Sequence, residues 1–345
     1  MDFITDLKSE HLPALKDFIK RQFNENYILL NKEFFDWQYR GNMKIAHNDG
    51  KVLGYCGYVP AKLNAGGKVT DGACLANLMV DKSARAFGLG AALVKSLMNQ
   101  FPALYINGYK LDTWPMYEKL GGWAKMGNLR RFVKIVDSIK ASLLAKERVE
   151  SIISNAKSAD LKVIEKFDFS ADDLWKKIKN QYGISQERSS SYLNWRYAMH
   201  PIFKYQLRGI FFENELRGII IFRIENTRDE SGAEFALGRI LEIVSEKDFA
   251  ENLIAGAVAE MAGGGVCAAD FYTSSLVHQD ALFANGFSDM ANGYGAVPAL
   301  LSPLSRKRIS INWIAYGRSL SGLFLNPADW NITKGDGDQD RPNTL

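Results

Sequence analysis

Cys74-Leu75-Ala76-Asn77-Leu78-Met79-Val80-Asp81-Lys82-Ser83-Ala84-Arg85-Ala86-Phe87-Gly88-Leu89-Gly90-Ala91-Ala92-Leu93 is the stretch on which the reading of this chain turns. Residues 74–80 form a largely apolar run of strand length. Leu89, Leu93, Val94, Leu97 and Met98 then recur at the spacing of one helix face. The pattern predicts a strand, a glycine-bearing turn, and a helix beginning near Gly88. The first backbone N–H groups of a helix lack intrahelical partners and lie at the positive end of its dipole, so an anion is held there if no side chain blocks it. Gly88 and Gly90 remove that obstruction, and Lys82 and Arg85 add positive charge, an arrangement suited to a pyrophosphate. The Gly-x-x-x-x-Gly-Lys-Ser/Thr and Gly-x-Gly-x-x-Gly spacings of the common nucleotide loops are both absent.

Arg85-x-x-Gly88-x-Gly90, following a strand that ends at Val80, resembles the acyl-CoA pyrophosphate loop of the GCN5-related N-acetyltransferase superfamily. A second element follows in the expected order. Leu104-Tyr105-Ile106-Asn107-Gly108-Tyr109 reads as a strand, and Trp114-Pro115-Met116-Tyr117-Glu118-Lys119-Leu120-Gly121-Gly122-Trp123 resembles the family's Tyr-x-x-x-Gly-aromatic segment, with the double glycine read as lengthening the helix end by one residue. The resemblance covers about residues 1 to 135. It implies that acetyl-CoA is held by Leu78, Met79, Val80, Arg85, Ala86, Phe87, Gly88, Leu89, Gly90 and Ala91, with Tyr117 facing the sulfur. Tyr117 would protonate the departing thiolate, and a backbone N–H near Met79 or Val80 would polarise the thioester carbonyl. The base is open among Asp71, His47, Asp112 and Glu242, with Asp71 carried as the catalytic candidate and a water-relayed base as the family's frequent alternative.

An internal repeat extends the reading. Phe34-Phe35-Asp36-Trp37-Gln38-Tyr39 lines up with Tyr192-Leu193-Asn194-Trp195-Arg196-Tyr197 at an offset of 158 residues. Each copy precedes a hairpin: residues 45–47 and 52–58 about Asn48-Asp49-Gly50-Lys51, and residues 210–212 and 216–222 about Glu213-Asn214-Glu215. The fold class expected is α/β (α+β), two tandem domains of this acetyltransferase type, each a mixed, mostly antiparallel sheet flanked by helices. The boundaries expected are 1–135 for the acyl-CoA domain, 136–160 for an exposed linking helix, 161–325 for a degenerate second domain, and 326–345 for a polar tail at the surface. In the second copy, Ile240 to Val244 leads into Ser245-Glu246-Lys247-Asp248-Phe249-Ala250-Glu251, acidic and free of glycine, and Leu282 stands where a tyrosine would donate its proton. That copy reads as stripped of acyl-CoA chemistry. Its expected role is to complete the acceptor pocket.

Composition limits the partners. Forty-three Lys and Arg against 39 Asp and Glu leave a formal charge of +4, too small to argue for nucleic acid or membrane without a local cluster. Cys56, Cys74 and Cys267 are widely spaced and support neither a disulfide framework nor a zinc site. The amino terminus lacks a signal-peptide pattern, so the cytoplasm is expected. Lys334 to Pro342 resembles part of a calcium loop but lacks its twelfth-position Glu, so no metal is expected. The expected partner is a small-molecule amine, with a nucleotide-linked amino sugar as one candidate. Phe35, Trp37, Tyr39, Trp114, Trp195 and Tyr197 read as core residues before sugar-stacking ones, and His47 and His200 as structural. Two alternatives stand beside acetyl transfer: a peptidoglycan-bridge aminoacyl transferase and a non-catalytic acyl-CoA-binding protein.

Overall fold

The computed structural model describes residues 4–290, 294–307, 310–318 and 326–342. The chain divides into two compact units. One comprises Met1–Asn128, Ile311–Asp329 and Asp336–Leu345, the other Leu129–Ser310 and Trp330–Gly335.

In the first unit, β1 (Ile4–Asp6), α1 (Leu12–Gln22) and α2 (Lys32–Tyr39) precede the hairpin of β2 (Met43–Asn48) and β3 (Lys51–Ala65). Asp49 and Gly50 turn that hairpin with φ of 46° and 76°, the left-handed pair that matches the strands' twist. Then come β4 (Lys68–Val80), α3 (Leu89–Gln100), β5 (Ala103–Asn107), α4 (Trp114–Leu120) and β6 (Trp123–Asn128). Successive strand residues face opposite sides. Ile45 and Tyr55 accordingly pack with Phe18, Phe34 and Tyr39 of α1 and α2. Their neighbours Ala46 and Cys56 pack with Leu93, Val94 and Leu97 of α3 and Tyr117 of α4.

The second unit opens with β7 (Arg130–Ile135), α5 (Ser138–Ala145), β8 (Lys162–Val163), α6 (Phe169–Ile178), β9 (Ile184–Gln186) and α7 (Ser190–Leu193). The second hairpin, β10 (Gln206–Phe212) and β11 (Glu215–Arg228), turns at Glu213 and Asn214, both with positive φ. It is followed by β12 (Glu234–Ser245), α8 (Lys247–Gly263), β13 (Ala268–Thr273), α9 (Gln279–Ala284), β14 (Ser288–Asp289) and the short hairpin of β15 (Leu300–Leu301) and β16 (Leu304–Ser305). The chain then supplies β17 (Asn312–Gly317) to the first unit and β18 (Trp330–Asn331) to the second, where it pairs with β9.

Strand order in the first unit is β1-β2-β3-β4-β5-β17-β6, and in the second β8-β10-β11-β12-β13-β7-β14. The two series correspond position by position. In each series one neighbouring pair is parallel, β4 with β5 and β12 with β13. Two tandem mixed, mostly antiparallel sheets flanked by helices are therefore present. The sixth position of each is filled by a strand from a distant part of the sequence. β17 lies between β5 and β6, with Trp313 and Ile314 fully buried. β7 is held in the other sheet by a buried network in which Arg131 donates to Asp270 at 2.7 Å and Arg239 donates to the same carboxylate at 3.1 Å.

Three boundaries differ from expectation. The first unit's leading segment ends at Asn128 rather than 135, because Arg130–Ile135 bond into the second sheet. The connector is helical only over Ser138–Ala145. Lys146 takes a left-handed φ of 58° and ends the helix, and the following residues bond to the second unit instead, through Ser151 to the Ile135 carbonyl and Lys134 to that of Ile152. The described part of the tail is not a surface segment either: Trp330, Ile332 and Asp336 are fully buried. Its backbone polar groups are satisfied internally, Ser274 N–H donating to the Ile332 carbonyl at 2.8 Å.

Candidate active site

The turn predicted between strand and helix is present in the first unit. Lys82–Phe87 form a short 3-10 turn, and Gly88, with φ of 69°, ends that turn and begins α3. An L side chain there would be strained. A Cβ built on Gly88 meets nothing within 4 Å, so the approach to the helix start is open. α3 has no side-chain N-cap bond, which leaves the N–H groups of Leu89, Gly90 and Ala91 for an external acceptor. Gly90 has a different role from Gly88. A Cβ on it would lie 3.4 Å from the Met116 Sδ, an ordinary contact. Arg85 donates from Nε to the Val80 carbonyl at 3.2 Å, which anchors its guanidinium where the strand ends. Lys82, Arg85 and Phe87 are exposed in this turn. The side chain of Ala86 lies outside the described residues.

β4 and β5 diverge toward this turn. They pair only through Gly72–Cys74 and Ala103–Tyr105. Beyond that point β4 stays with β3 as far as Val80, and β5 stays with β17 through Asn107. Alternate residues of β4 between Leu75 and Val80 thus turn their N–H and C=O toward a gap instead of a ladder. Leu78, Met79 and Val80 form this unpaired edge. A bulge lies just before them: Cys56 faces Leu78 while Gly57 faces Ala76, so Asn77 is the extra residue, with φ of 57°.

Tyr117 stands on α4 in the same apolar cluster as Cys56, Val80 and Leu93. It is 3% exposed, its ring 4.9 Å from Trp123 and 6.3 Å from Tyr109. Its hydroxyl makes no hydrogen bond among the described residues. Burial pushes its pKa up from the usual phenol range, so it keeps its proton. α4 ends at Leu120. Gly121 and Gly122 both take positive φ, so the second glycine lengthens the turn and not the helix.

The structure does not bring Asp71 to this place. It lies near the start of β4, exposed and 2.6 Å from Lys62, and at about 3.3 Å per residue the strand carries it roughly 23 Å from Leu78. The His47 ring lies 4.8 Å from that of His11 in a tilted contact, Asp112 is exposed before α4, and His200 accepts from two backbone N–H groups through Nδ1. Glu242 belongs to the second unit.

Sequence reasoning missed Asn77 and the tail. Asn77 Nδ2 donates to the Tyr39 hydroxyl at 3.0 Å and to Asp338 at 2.9 Å, and its Oδ1 accepts from the Tyr27 hydroxyl at 3.1 Å. An asparagine at the bulge is the only signal that could have pointed there, since asparagine tolerates the left-handed region better than most residues.

The second unit has the same divergence without the same opening. β12 pairs with β13 only as far as Ile240 and Phe271 and runs on to Ser245. Glu242 fills that region, fully buried, accepting from Arg188 at 3.0 Å, Tyr197 at 2.9 Å and Thr333 at 3.1 Å. Glu246 stands at the N-cap position of α8 without a side-chain cap bond, and there is no glycine turn between strand and helix. Leu282 is buried on α9.

Residues 12–121 match the acetyltransferase (GNAT) family. No curated protein matches the chain. Among solved structures it is similar to a GCN5-related N-acetyltransferase from Anabaena variabilis, with a TM-score of 0.60 at 15% identity over 92% of this chain and 72% of that one. Saccharomyces cerevisiae N-myristoyltransferase with bound myristoyl-CoA gives 0.58 at 12% identity over 95% and 84%. A probable N-acyltransferase from Enterococcus faecalis gives 0.58 at 11% identity over 91% and 72%. The family match over residues 12–121 and the fold shared along the chain make this a protein of GCN5-related N-acetyltransferase architecture whose amino-terminal unit carries the acetyltransferase family pattern.

Proposed function

We propose that the protein is an acyl-CoA-dependent N-acyltransferase that moves an acetyl group from acetyl-CoA to the primary amine of a small molecule, in the cytoplasm. The observation that carries this reading is the gap between β4 and β5, which leads to the open helix start at Gly88. A pyrophosphate fits the N–H groups of Leu89, Gly90 and Ala91, and an extended amide-bearing arm fits the unpaired edge at Leu78, Met79 and Val80. Lys82 and Arg85 supply charge at the turn.

In the reaction the unprotonated amine attacks the thioester carbonyl. A carbon–nitrogen bond forms, the carbon–sulfur bond breaks, and the sulfur takes the Tyr117 proton, which the phenolate regains from water. The N–H at Met79 or Val80 stabilises the oxyanion. The proton lost from the amine leaves through water, since Asp71 lies elsewhere. A nucleotide-linked amino sugar is a candidate acceptor. The test is a screen of primary amines with acetyl-CoA, following thiol release and product mass. Amine-dependent thiol release with an increase of one acetyl group supports the reading, and no turnover with any amine class by a chain that binds acetyl-CoA would overturn it in favour of a binding protein.

A further inference from the structure

The tail segment Asp336–Arg341 lies against both arms of the gap. On the β5 arm, Asn107 Nδ2 donates to the Asp336 carbonyl at 2.9 Å, and Gln339 Nε2 donates to the Asn107 carbonyl at 2.9 Å. On the β4 arm, Asp338 accepts from Asn77 at 2.9 Å. Between them Gly337, with φ of 78°, sits over Cys74, the last β4 residue paired with β5. A Cβ on Gly337 would come within 2.6 Å of the Cys74 Sγ. The contacts all fall on the α1/α2 face, and the Gly88 turn is reached from the other.

Asn77 is held more firmly than its φ requires. A single non-glycine residue at φ of 57° is tolerable for asparagine, yet its side chain makes three bonds, one of them to a carboxylate. Asp338 is itself fixed by an ion pair with Arg341. Burial, the largest single influence, works against the Arg341 charge, but Asp338 together with Tyr27, Tyr39 and Tyr55 outweighs it and holds the guanidinium protonated. Asp338 is 7% exposed, so this is a built contact and not a surface pairing.

We propose that this segment is a built-in spacer of the acyl-CoA gap and that Asp338 is its positioning residue, fixing Asn77 and thereby aiming the main-chain groups of Leu78 and Met79 that follow the bulge. The proposal rests on reading the gap as the acyl-CoA site. A spacer of this kind acts on the arm of the ligand that lies along β4 and not on the nucleotide end held at Gly88.

The two ends of the ligand can be separated. Acetyl-CoA and adenosine 3′,5′-bisphosphate are titrated calorimetrically into the full chain and into Asp338→Ala, Asp338→Asn and Asn77→Gly, each confirmed folded by its melting transition. Loss of a bond to a charged group predicts about a tenfold weaker acetyl-CoA affinity for Asp338→Ala, with bisphosphate affinity within about twofold of wild type. Asp338→Asn keeps a carbonyl oxygen for Asn77 and should recover part of the loss. Asn77→Gly permits the backbone angle but drops all three bonds, and should resemble Asp338→Ala. Where Asp338→Ala does not fold, the other two variants carry the test. Unchanged acetyl-CoA affinity in the folded variants, or equal losses for both ligands, would overturn the spacer. A wild-type chain that binds neither ligand overturns the acyl-CoA reading, and the proposal with it.

Discussion

Tyr117→Phe separates the chemistry of the site from its packing. The hydroxyl makes no hydrogen bond among the described residues, while the ring is packed between Trp123 and Tyr109. Removing one oxygen therefore deletes no protein bond and leaves the packing intact, so stability should change by less than about 1 kcal/mol. Turnover should respond quite differently. A positioned general acid is worth about 10²–10⁴-fold, or roughly 3–5 kcal/mol of barrier at about 1.4 kcal/mol per tenfold. The Michaelis constant for acetyl-CoA should move little, because the ring contacts are the same in ground and transition states. The sign of the pH effect also follows. Burial raises the phenol pKa above its usual value, so the acid form persists through pH 10 and Tyr117 contributes no alkaline fall in rate below that. The assay is thiol release under conditions where chemistry limits the rate. Full turnover by the variant would refute the general-acid assignment and leave Tyr117 as a packing residue.

Three further outcomes are expected. A fragment of residues 1–135 lacks β17, which leaves the facing edges of β5 and β6 unpaired. It should fail to give a cooperative melting transition or bind acetyl-CoA, and a folded, binding-competent fragment would contradict the strand exchange. His278 is buried, 3.2 Å from the Tyr182 hydroxyl, and burial holds its pKa down to about 4. A depressed folded value means that the stability is present above the unfolded value near 6.5 and is lost as pH falls toward 4. The loss is about 3 kcal/mol and should be read in denaturant melts as a slope that His278→Gln flattens. Gly90→Ala should leave the melting temperature within a few degrees, since its Cβ meets only ordinary contacts, whereas Gly88→Ala should cost about 1–2 kcal/mol in the left-handed region. Equal effects of the two on melting would show that the turn differs from the one described.

Local signals carried much of the fold. The two hairpins were legible because Asn48-Asp49-Gly50 and Glu213-Asn214-Glu215 interrupt alternating apolar runs, and α3 because its apolar face repeats at helical spacing after Gly88. The exchange of β7 and β17 was not legible. Arg130–Ile135 and Asn312–Gly317 look like strands, but nothing local says which sheet a strand joins. The tail was misread for a related reason. Glycine and aspartate suggest a solvated segment, and only the tertiary structure shows that Asn77 and Asn107 satisfy them. At the site, the glycine turn and Tyr117 follow from sequence order, whereas Asp71 was drawn in by residue type and a place on a predicted strand, and that strand carries it away. The glycine-free start of α8 was readable directly, because a loop that is missing leaves its absence in the sequence.

The central claim is that one unit of the two receives acyl-CoA, at the Gly88 turn. Calorimetric titration of coenzyme A into the full chain and into Gly88→Glu tests it directly. One site per chain is predicted for the wild type, with binding abolished in a variant that still melts cooperatively, because a carboxylate would occupy the space above the helix start and oppose the phosphates. Two equivalent sites, no binding by the wild type, or unchanged affinity in folded Gly88→Glu would contradict the account.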